Sequence, residues 1–391
     1  MKNVKNSIFS ANELETLSDF VNEKILPGSK ERDESESFPV EIFRELHTLG
    51  WTRCFIPEAQ GGLGANTADL TQIFRKVAYA SPGIATSMAG NMLAFVPILL
   101  RGSDELRDNV IHDYQNNFSL SSFCFTEPDH GSDVMRIETN ATPAEGGYLI
   151  TGKKCFVTNA NYAKRYLVVA KIKGMENPKR GMGLFLIEGR PDGFSVGSAY
   201  SKLGLRDSNT GEVFFDQVFV PTSHLIGKEG EGFEIACKSI QRSRIMLAAS
   251  AVGLCDRAGD LARDYLKQRV LYGKPLLTQQ AITNLLGQLY AEKEALWLLI
   301  QSAAEAWDAE DFSFKLSSMA KLMSGQLAMR FASACLELFG GWGCTKEYEI
   351  ERVYRDAKFY DIMEGPSFVQ LAILAKELFP ELQTIAKQKA A

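Results

Sequence analysis

The apolar residues of this chain change their spacing twice, from a helical period to an alternating one and back, and that ordering constrains the fold more than any other feature. Over residues 1–118 the helical period dominates. Ser10 and Glu13 form a capping box ahead of Leu14, Leu17, Val21 and Ile25, and Pro27-Gly28 mark a stop. Pro39 opens a second helix carrying Ile42, Phe43, Leu46 and Leu49, which Gly50 closes. The loop PEAQGGLG, Pro57 to Gly64, reads as a plain turn, because neither GxGxxG nor GxxxxGK is present. Two or three further helical runs reach about Gln115. Between 119 and 228 short runs rich in β-branched and aromatic residues alternate instead, with strands expected at Tyr148–Ile150, Cys155–Val157, Leu167–Ile172, Leu184–Ile187 and Val213–Val220. Beyond about 229 the helical period returns in long segments. One runs through Ile245, Ala248, Val252, Cys255, Ala258, Ala262 and Tyr265, and another through Ile282, Leu285, Leu286, Leu289, Leu296 and Ile300. The expected fold is α+β: an N-terminal α-helical domain (1–118), a central antiparallel β domain built as a barrel or sandwich (119–228), and a C-terminal four-helix bundle (229–391). Strands and helices do not alternate, which disfavours a dinucleotide-binding βαβ fold.

Composition narrows the function. A net charge of -5, with no basic run, argues against nucleic acid as a partner. The longest apolar stretches, such as Met92–Leu100 with its Pro97, read as too short for a membrane span, and MKNVKNSIFS lacks an apolar signal core, so a cytoplasmic location is expected. Seven cysteines lack CxxC spacing and suit reduced, mostly buried thiols. Four histidines show neither HxxxH nor HExxH, so no metal site is expected.

Chemistry concentrates in RDAKFYDIMEGPSFVQ, Arg355 to Gln370. Glu364 stands between apolar Ile362-Met363 and the breakers Gly365-Pro366, on a turn ahead of a helix that starts at Pro366. Alone, this reads first as a helix-capping glutamate, and as a general base only if it faces a pocket. A second stretch, CFTEPDHGSD at 124–133, offers the Thr126 hydroxyl and a tight Gly131-Ser132 turn whose N–H groups suit a phosphate, although an ordinary acidic turn looks similar. Downstream, Phe156 and Thr158 pair an aromatic with a second hydroxyl, which together with Thr126 could serve the face and the polar edge of a flat heteroaromatic cofactor.

Taken together, TEPDHGSD (126–133), FVT (156–158), KLGLRDSNTGEVFFDQVFVP (202–221), IGKEGEGF (226–233), RVLYGKPL (269–276), FGGWGCTKEYEIERVYRDAK (339–358) and MEGP (363–366) resemble, in order and spacing, the acyl-CoA dehydrogenase family of flavoproteins. The resemblance covers nearly the whole chain. It implies FAD, with Thr126 and Thr158 on the pyrimidine and N5 side of the flavin, Phe156 on one ring face, and Gly131-Ser132 at the pyrophosphate. Arg269 matches an arginine that reaches the pyrophosphate of a neighbouring subunit's FAD, and Gly340-Gly341 the turn beside the adenosine half. Because two chains share the cofactor in the family, a homotetramer or at least a dimer is implied. Glu364 matches the catalytic base. It would remove the α proton of an acyl thioester while the β hydride passes to flavin N5, giving a trans-2-enoyl thioester, with the carbonyl held by the Glu364 N–H and a flavin ribityl hydroxyl. Substrate contacts are implied at Gln241, Arg244 and Gly365. Some members carry the base at the position of Ser243, where serine cannot serve. Electrons would leave to electron-transferring flavoprotein or a similar acceptor.

The sequence departs from the family pattern at Pro366, where threonine is usual, at Phe368 and Glu337, where glutamine is common, at Gln241, often aspartate, and at His130, usually small. These departures leave open an acyl or aminoacyl group tethered to a carrier protein in place of acyl-CoA. Oxygen-using relatives, flavin monooxygenases and nitroalkane oxidases, usually lack the glutamate. A scaffold without activity is opposed by the retained Thr126, Ser132, Thr158, Arg269 and Glu364. The acyl pocket is expected near Met88–Phe95. For Glu364 a helix N-terminus at Pro366 should lower the pKa and apolar burial raise it, with burial expected to win only once an acyl chain fills the pocket.

Overall fold

A computed structural model describes residues 7–177, 180–379 and 381. The N-terminal helices are α1 (Ala11–Phe20), α2 (Ser29–Ser35), α3 (Val40–Thr48), α4 (Thr67–Ala80), α5 (Pro82–Arg101) and α6 (Asp104–Asn116). The capping box forms as the sequence predicts, with Ser10 Oγ accepting the Glu13 N–H and Glu13 accepting the Ser10 N–H. α1 runs into a π turn, Val21–Ile25, that carries Val21 and Ile25 into the core. α2, beyond the expected stop at Gly28, is an element the sequence reading lacks.

The central region holds β1 (Leu120–Cys124), β2 (Asn140–Ala144), β3 (Gly147–Thr158), β4 (Ala163–Ile172), β5 (Met182–Glu188), β6 (Phe194–Val196) and β7 (Thr210–Pro221). Their order is β1-β4-β2-β3-β7-β6, with β5 paired to β4. The sheet is mixed and corrects the antiparallel expectation, because β1 and β2 both run parallel to β4. A parallel partner needs a long crossover, and the chain between β1 and β4, including the β2–β3 hairpin, supplies it. Tyr148–Ile150 and Cys155–Val157, expected as two strands, belong to the single strand β3, whose register with β7 shifts after Ile150 and again after Lys154.

The C-terminal region comprises α7 (Gly232–Gln268), a ribbon of β8 (Val270–Leu271) and β9 (Lys274–Pro275), then α8 (Gln280–Asp308), α9 (Phe314–Leu338), α10 (Ile350–Ile362) and α11 (Ser367–Leu378). α7 is the axis of the molecule. It packs on α4 and α5 on one side and on α9 and α10 on the other, so every side chain from Gln241 to Cys255 is buried. Gly253 admits the Arg75 carbonyl of α4 where a Cβ would collide with it.

α5 corrects the view that no apolar stretch is long enough for a membrane. It continues through Pro97 for 20 residues and is apolar enough to cross a bilayer by length and composition, yet it lies almost wholly inside the core. Proline cannot donate to the carbonyl four residues back, and here Ser239 Oγ of α7 donates to that Leu93 carbonyl at 2.7 Å. The acyl pocket expected near Met88–Phe95 thus falls on a helix in contact with both α7 and β1.

A buried ionic junction ties the three regions together. Asp207 accepts from Ser81 Oγ (2.6 Å) and pairs with Arg32 (3.4 Å). Arg355 of α10 reaches Asp33 of α2 (2.6 Å) and the Leu203 carbonyl (3.0 Å), and Asp356 accepts the Leu205 N–H (2.6 Å).

Candidate active site

α10 ends at Ile362 and α11 begins after Pro366, which acts as its N-cap residue; the turn between them carries Glu364 as expected. Both Glu364 (φ 55°) and Gly365 (φ 92°) adopt left-handed backbone, a strained choice for glutamate that the surroundings must hold. They do so at three points. Arg244 Nε donates to the Glu364 carbonyl (3.0 Å), Gln370 Nε2 bridges the carbonyls of Glu364 (3.1 Å) and Gly365 (2.7 Å), and Ser243 Oγ donates to Glu364 Oε1 (3.2 Å). Glycine at 365 is required twice over: its φ suits glycine, and a Cβ there would stand 2.8 Å from Gln370 Nε2. The Glu364 N–H has no hydrogen-bond partner among the described residues. The clamp therefore leaves a carboxylate and an unused N–H on one rigid turn.

Burial pushes the Glu364 carboxyl above the usual carboxylate range, against the charge of Arg244, the Ser243 hydrogen bond and the charge of Lys321. This corrects the expectation that burial would win only with an acyl chain bound: the raised value is already present without one. Neither Gln370 of the clamp nor Lys321 beside it is singled out by the sequence, where Ser243 figures only as a position at which serine cannot serve as the base. Lys321 did leave a signal, as a lone cation among Ser318, Met319, Ala320, Leu322 and Met323 in a helix that packs on α7, α8, α10 and α11. Gln241, an expected substrate contact two residues before Ser243 and three before Arg244, is buried and donates its Nε2 to the Phe312 carbonyl (2.8 Å).

Thr126, Phe156 and Thr158 meet at a second locus. The Cys155 N–H donates to the Thr126 carbonyl (2.9 Å), which joins the loop after β1 to β3. Phe156 sits within the register shift after Lys154 with φ 53°, and this bulge turns its ring outward to 68% exposure. Neither threonine hydroxyl has a protein partner among the described residues. Gly90 of α5 closes in on Thr158, where a Cβ would lie 2.8 Å from Thr158 Cγ2. Gly131 leaves its surroundings open, with only Thr126 Cγ2 as near as 4.0 Å, and Ser132 is exposed beside it. An outward aromatic flanked by two uncommitted hydroxyls fits a flat heteroaromatic group.

The loop bearing these residues is pinned from beneath. Glu127 is buried and accepts the N–H groups of Glu138 (2.6 Å) and Thr139 (2.9 Å) and the ammonium of fully buried Lys154 (2.9 Å). Burial alone would raise its pKa, but Lys154 and these donors outweigh that and hold it low. His130, which stands where a small residue is usual, lies at the rim with Nε2 3.7 Å from Glu138 Oε1.

Arg269, Gly340 and Gly341 lie elsewhere. Arg269 follows the last turn of α7, roughly 37 Å along the axis from Arg244 at ~1.5 Å per residue. Gly340 and Gly341 form the exposed turn after α9, and Tyr265 of α7 stacks on Phe339 beside them (4.2 Å), so these three residues share one end of the bundle. Arg269 is exposed, and no described residue pairs with its side chain.

Three family models match in succession: acyl-CoA dehydrogenase, N-terminal domain, over residues 13–116; middle domain, over 122–218; and C-terminal domain, over 230–379. An acyl-CoA dehydrogenase from Bacillus subtilis is 33% identical over 361 residues, 92% of this chain and 95% of the relative. The structure of butyryl-CoA dehydrogenase from Megasphaera elsdenii superposes with a TM-score of 0.92 at 30% identity, covering 97% of this chain and 100% of the other. An FAD complex of PigA superposes with a TM-score of 0.89 at 26% identity, covering 97% of this chain and 99% of the other. Helical, β and helical regions in that order, matched along nearly their whole length, establish that this chain belongs to the acyl-CoA dehydrogenase family of FAD-binding oxidoreductases that act on CH–CH groups.

Proposed function

We propose that the protein dehydrogenates a saturated acyl thioester, with acyl-CoA as the favoured carrier, to the trans-2-enoyl thioester, and that Glu364 is its base. The observation that carries this reading is the clamped turn. It offers a carboxylate for the α proton and, from the same residue, an unpartnered N–H for the thioester carbonyl, so both groups are fixed relative to one substrate. An N–H aimed at that oxygen stabilises the enolate-like charge that develops as the proton leaves. Arg244 and Gln370 act on the Glu364 carbonyl and so fix the turn that carries its N–H. A carboxyl held above its usual pKa is a stronger base than a free glutamate once ionised, which suits a weakly acidic α carbon. Bound FAD supplies the acceptor for the β hydrogen and its two electrons. Thr126, Thr158 and Phe156 would hold its ring, with Gly131 and Ser132 at its pyrophosphate.

Arg269, Gly340 and Gly341 would serve the FAD of a second chain. Their distance from Glu364 supports this, as do exposed apolar side chains on α8 (Leu298) and α11 (Phe368, Leu371). The assembly would be a homotetramer passing electrons to electron-transferring flavoprotein or a similar acceptor. The test is anaerobic mixing of the FAD-loaded protein with butyryl-CoA, longer and branched acyl-CoAs, and the same acyl groups on a carrier protein. Flavin bleaching with a 2-enoyl-CoA product is expected. Bleaching by carrier-bound thioesters alone would shift the assignment to a tethered substrate, and bleaching by neither would overturn it.

A further inference from the structure

Lys321 is 2% exposed, and its Nζ has no hydrogen-bond partner among the described residues. A buried ammonium without a partner is costly, so its surroundings must compensate it through charge. Its place on α9 shows how. Ser318, Lys321 and Gly325 follow at helical spacing on one face. Ser318 Oγ lies 3.5 Å from Arg244 Nη1, and Gly325 packs so closely on the last turn of α10 that a Cβ would stand 2.6 Å from the Tyr360 carbonyl. Lys321, between them, therefore points beneath the turn that carries Glu364.

We infer that Lys321 is a positioning residue for Glu364: a buried cation on the neighbouring helix that keeps the carboxyl ionised and so able to take a proton. The inference rests on Glu364 being the base. Around Lys321 the charged groups are Asp361 of α10, Arg244 of α7 and Glu364 itself. Asp361 is already engaged by Lys358 Nζ (2.7 Å) and Ser367 Oγ (2.5 Å). The two cations near Glu364 divide the work. Arg244 spends its Nε on the Glu364 main chain and fixes the turn, while the Lys321 ammonium makes no such bond and acts by charge alone. Burial pulls Lys321 down to about 8, against the attraction of Asp361 and Glu364, so it carries its charge at neutral pH. Burial without this cation would drive Glu364 further upward and leave more of it protonated, hence idle, at neutral pH.

The experiment titrates the carboxyl directly. Infrared difference spectra, with Glu364→Gln as the reference, follow the protonated Glu364 carboxyl against pH in FAD-loaded wild type, Lys321→Met and Lys321→Arg, without substrate. The midpoint is expected to rise by about one pH unit or more in Lys321→Met and to stay near wild type in Lys321→Arg. The acid limb of flavin reduction by the best acyl-CoA should move with it. Coupling is reciprocal, so Glu364→Gln should lower the Lys321 midpoint read by NMR of 13C-labelled lysine, and this decides the matter if Lys321→Met does not fold. A Glu364 midpoint unchanged in Lys321→Met, or a Lys321 midpoint unchanged in Glu364→Gln, would overturn the inference. A shifted carboxyl in a protein that no acyl thioester bleaches would leave the Lys321–Glu364 coupling intact and overturn the dehydrogenase reading instead.

Discussion

Ser243 and Glu364 are 121 residues apart in sequence and meet at a single hydrogen bond. The motif MEGP marks Glu364, but nothing in either stretch announces their contact, because pairs so distant are made by the packing of α7 against α10. The bond favours the carboxylate over the carboxylic acid. Ser243→Ala should therefore raise the Glu364 pKa and move the acid limb of flavin reduction upward, by about one pH unit for a loss of ~1.5 kcal/mol. A pH–rate profile checks this. Gly365→Ala forces a side chain into left-handed backbone against Gln370, and should cost about 1–3 kcal/mol in urea unfolding and slow reduction at every pH.

At the level of elements, the period of the apolar residues located strands and helices but not the way they join. Alternation is the same in parallel and antiparallel strands, so the parallel pairing of β1 and β2 with β4 left no mark in the pattern. Pro97 misled for a related reason: the bond it forfeits in α5 is restored by Ser239 from α7, a partner invisible to local rules. The candidate flavin locus was more legible, since Thr126, Phe156 and Thr158 stand in short motifs. Its support was not, because Lys154 reads as an ordinary strand lysine until its partner Glu127 is placed beside it. Removing one member of a buried pair strands the other, at about 3–5 kcal/mol. Lys154→Met should lower stability by that order and release the 126–133 loop, which FAD dissociation followed by flavin fluorescence will report as weakened retention.

Across the whole molecule, the junction of Asp33, Asp207, Arg355 and Asp356 locks the three regions around the site, with α10 running from that junction to Glu364. Burial lifts the Asp356 carboxyl to about 7, above its ordinary 3.8, despite the opposing charge of Arg352. The folded chain thus holds a proton that the unfolded chain releases. Its contribution to stability is fully present below about pH 4 and is lost as pH rises through about 7. Unfolding free energies from urea titrations between about pH 5 and about pH 8 should fall more steeply in wild type than in Asp356→Asn, by of order 1–4 kcal/mol over that range. At this scale the sequence was legible in its order of regions and in the motifs of both candidate loci. The placement of Arg269 far along α7 from Glu364 emerged only with the length of that helix. What joins these scales is one glutamate, clamped from α7 and α11 and proposed as the base. Rapid anaerobic mixing of FAD-loaded wild type and Glu364→Gln with the best acyl-CoA tests it most directly. Both proteins are expected to bind FAD and thioester and only the wild type to bleach; bleaching of Glu364→Gln at the wild-type rate would contradict Glu364 as the base.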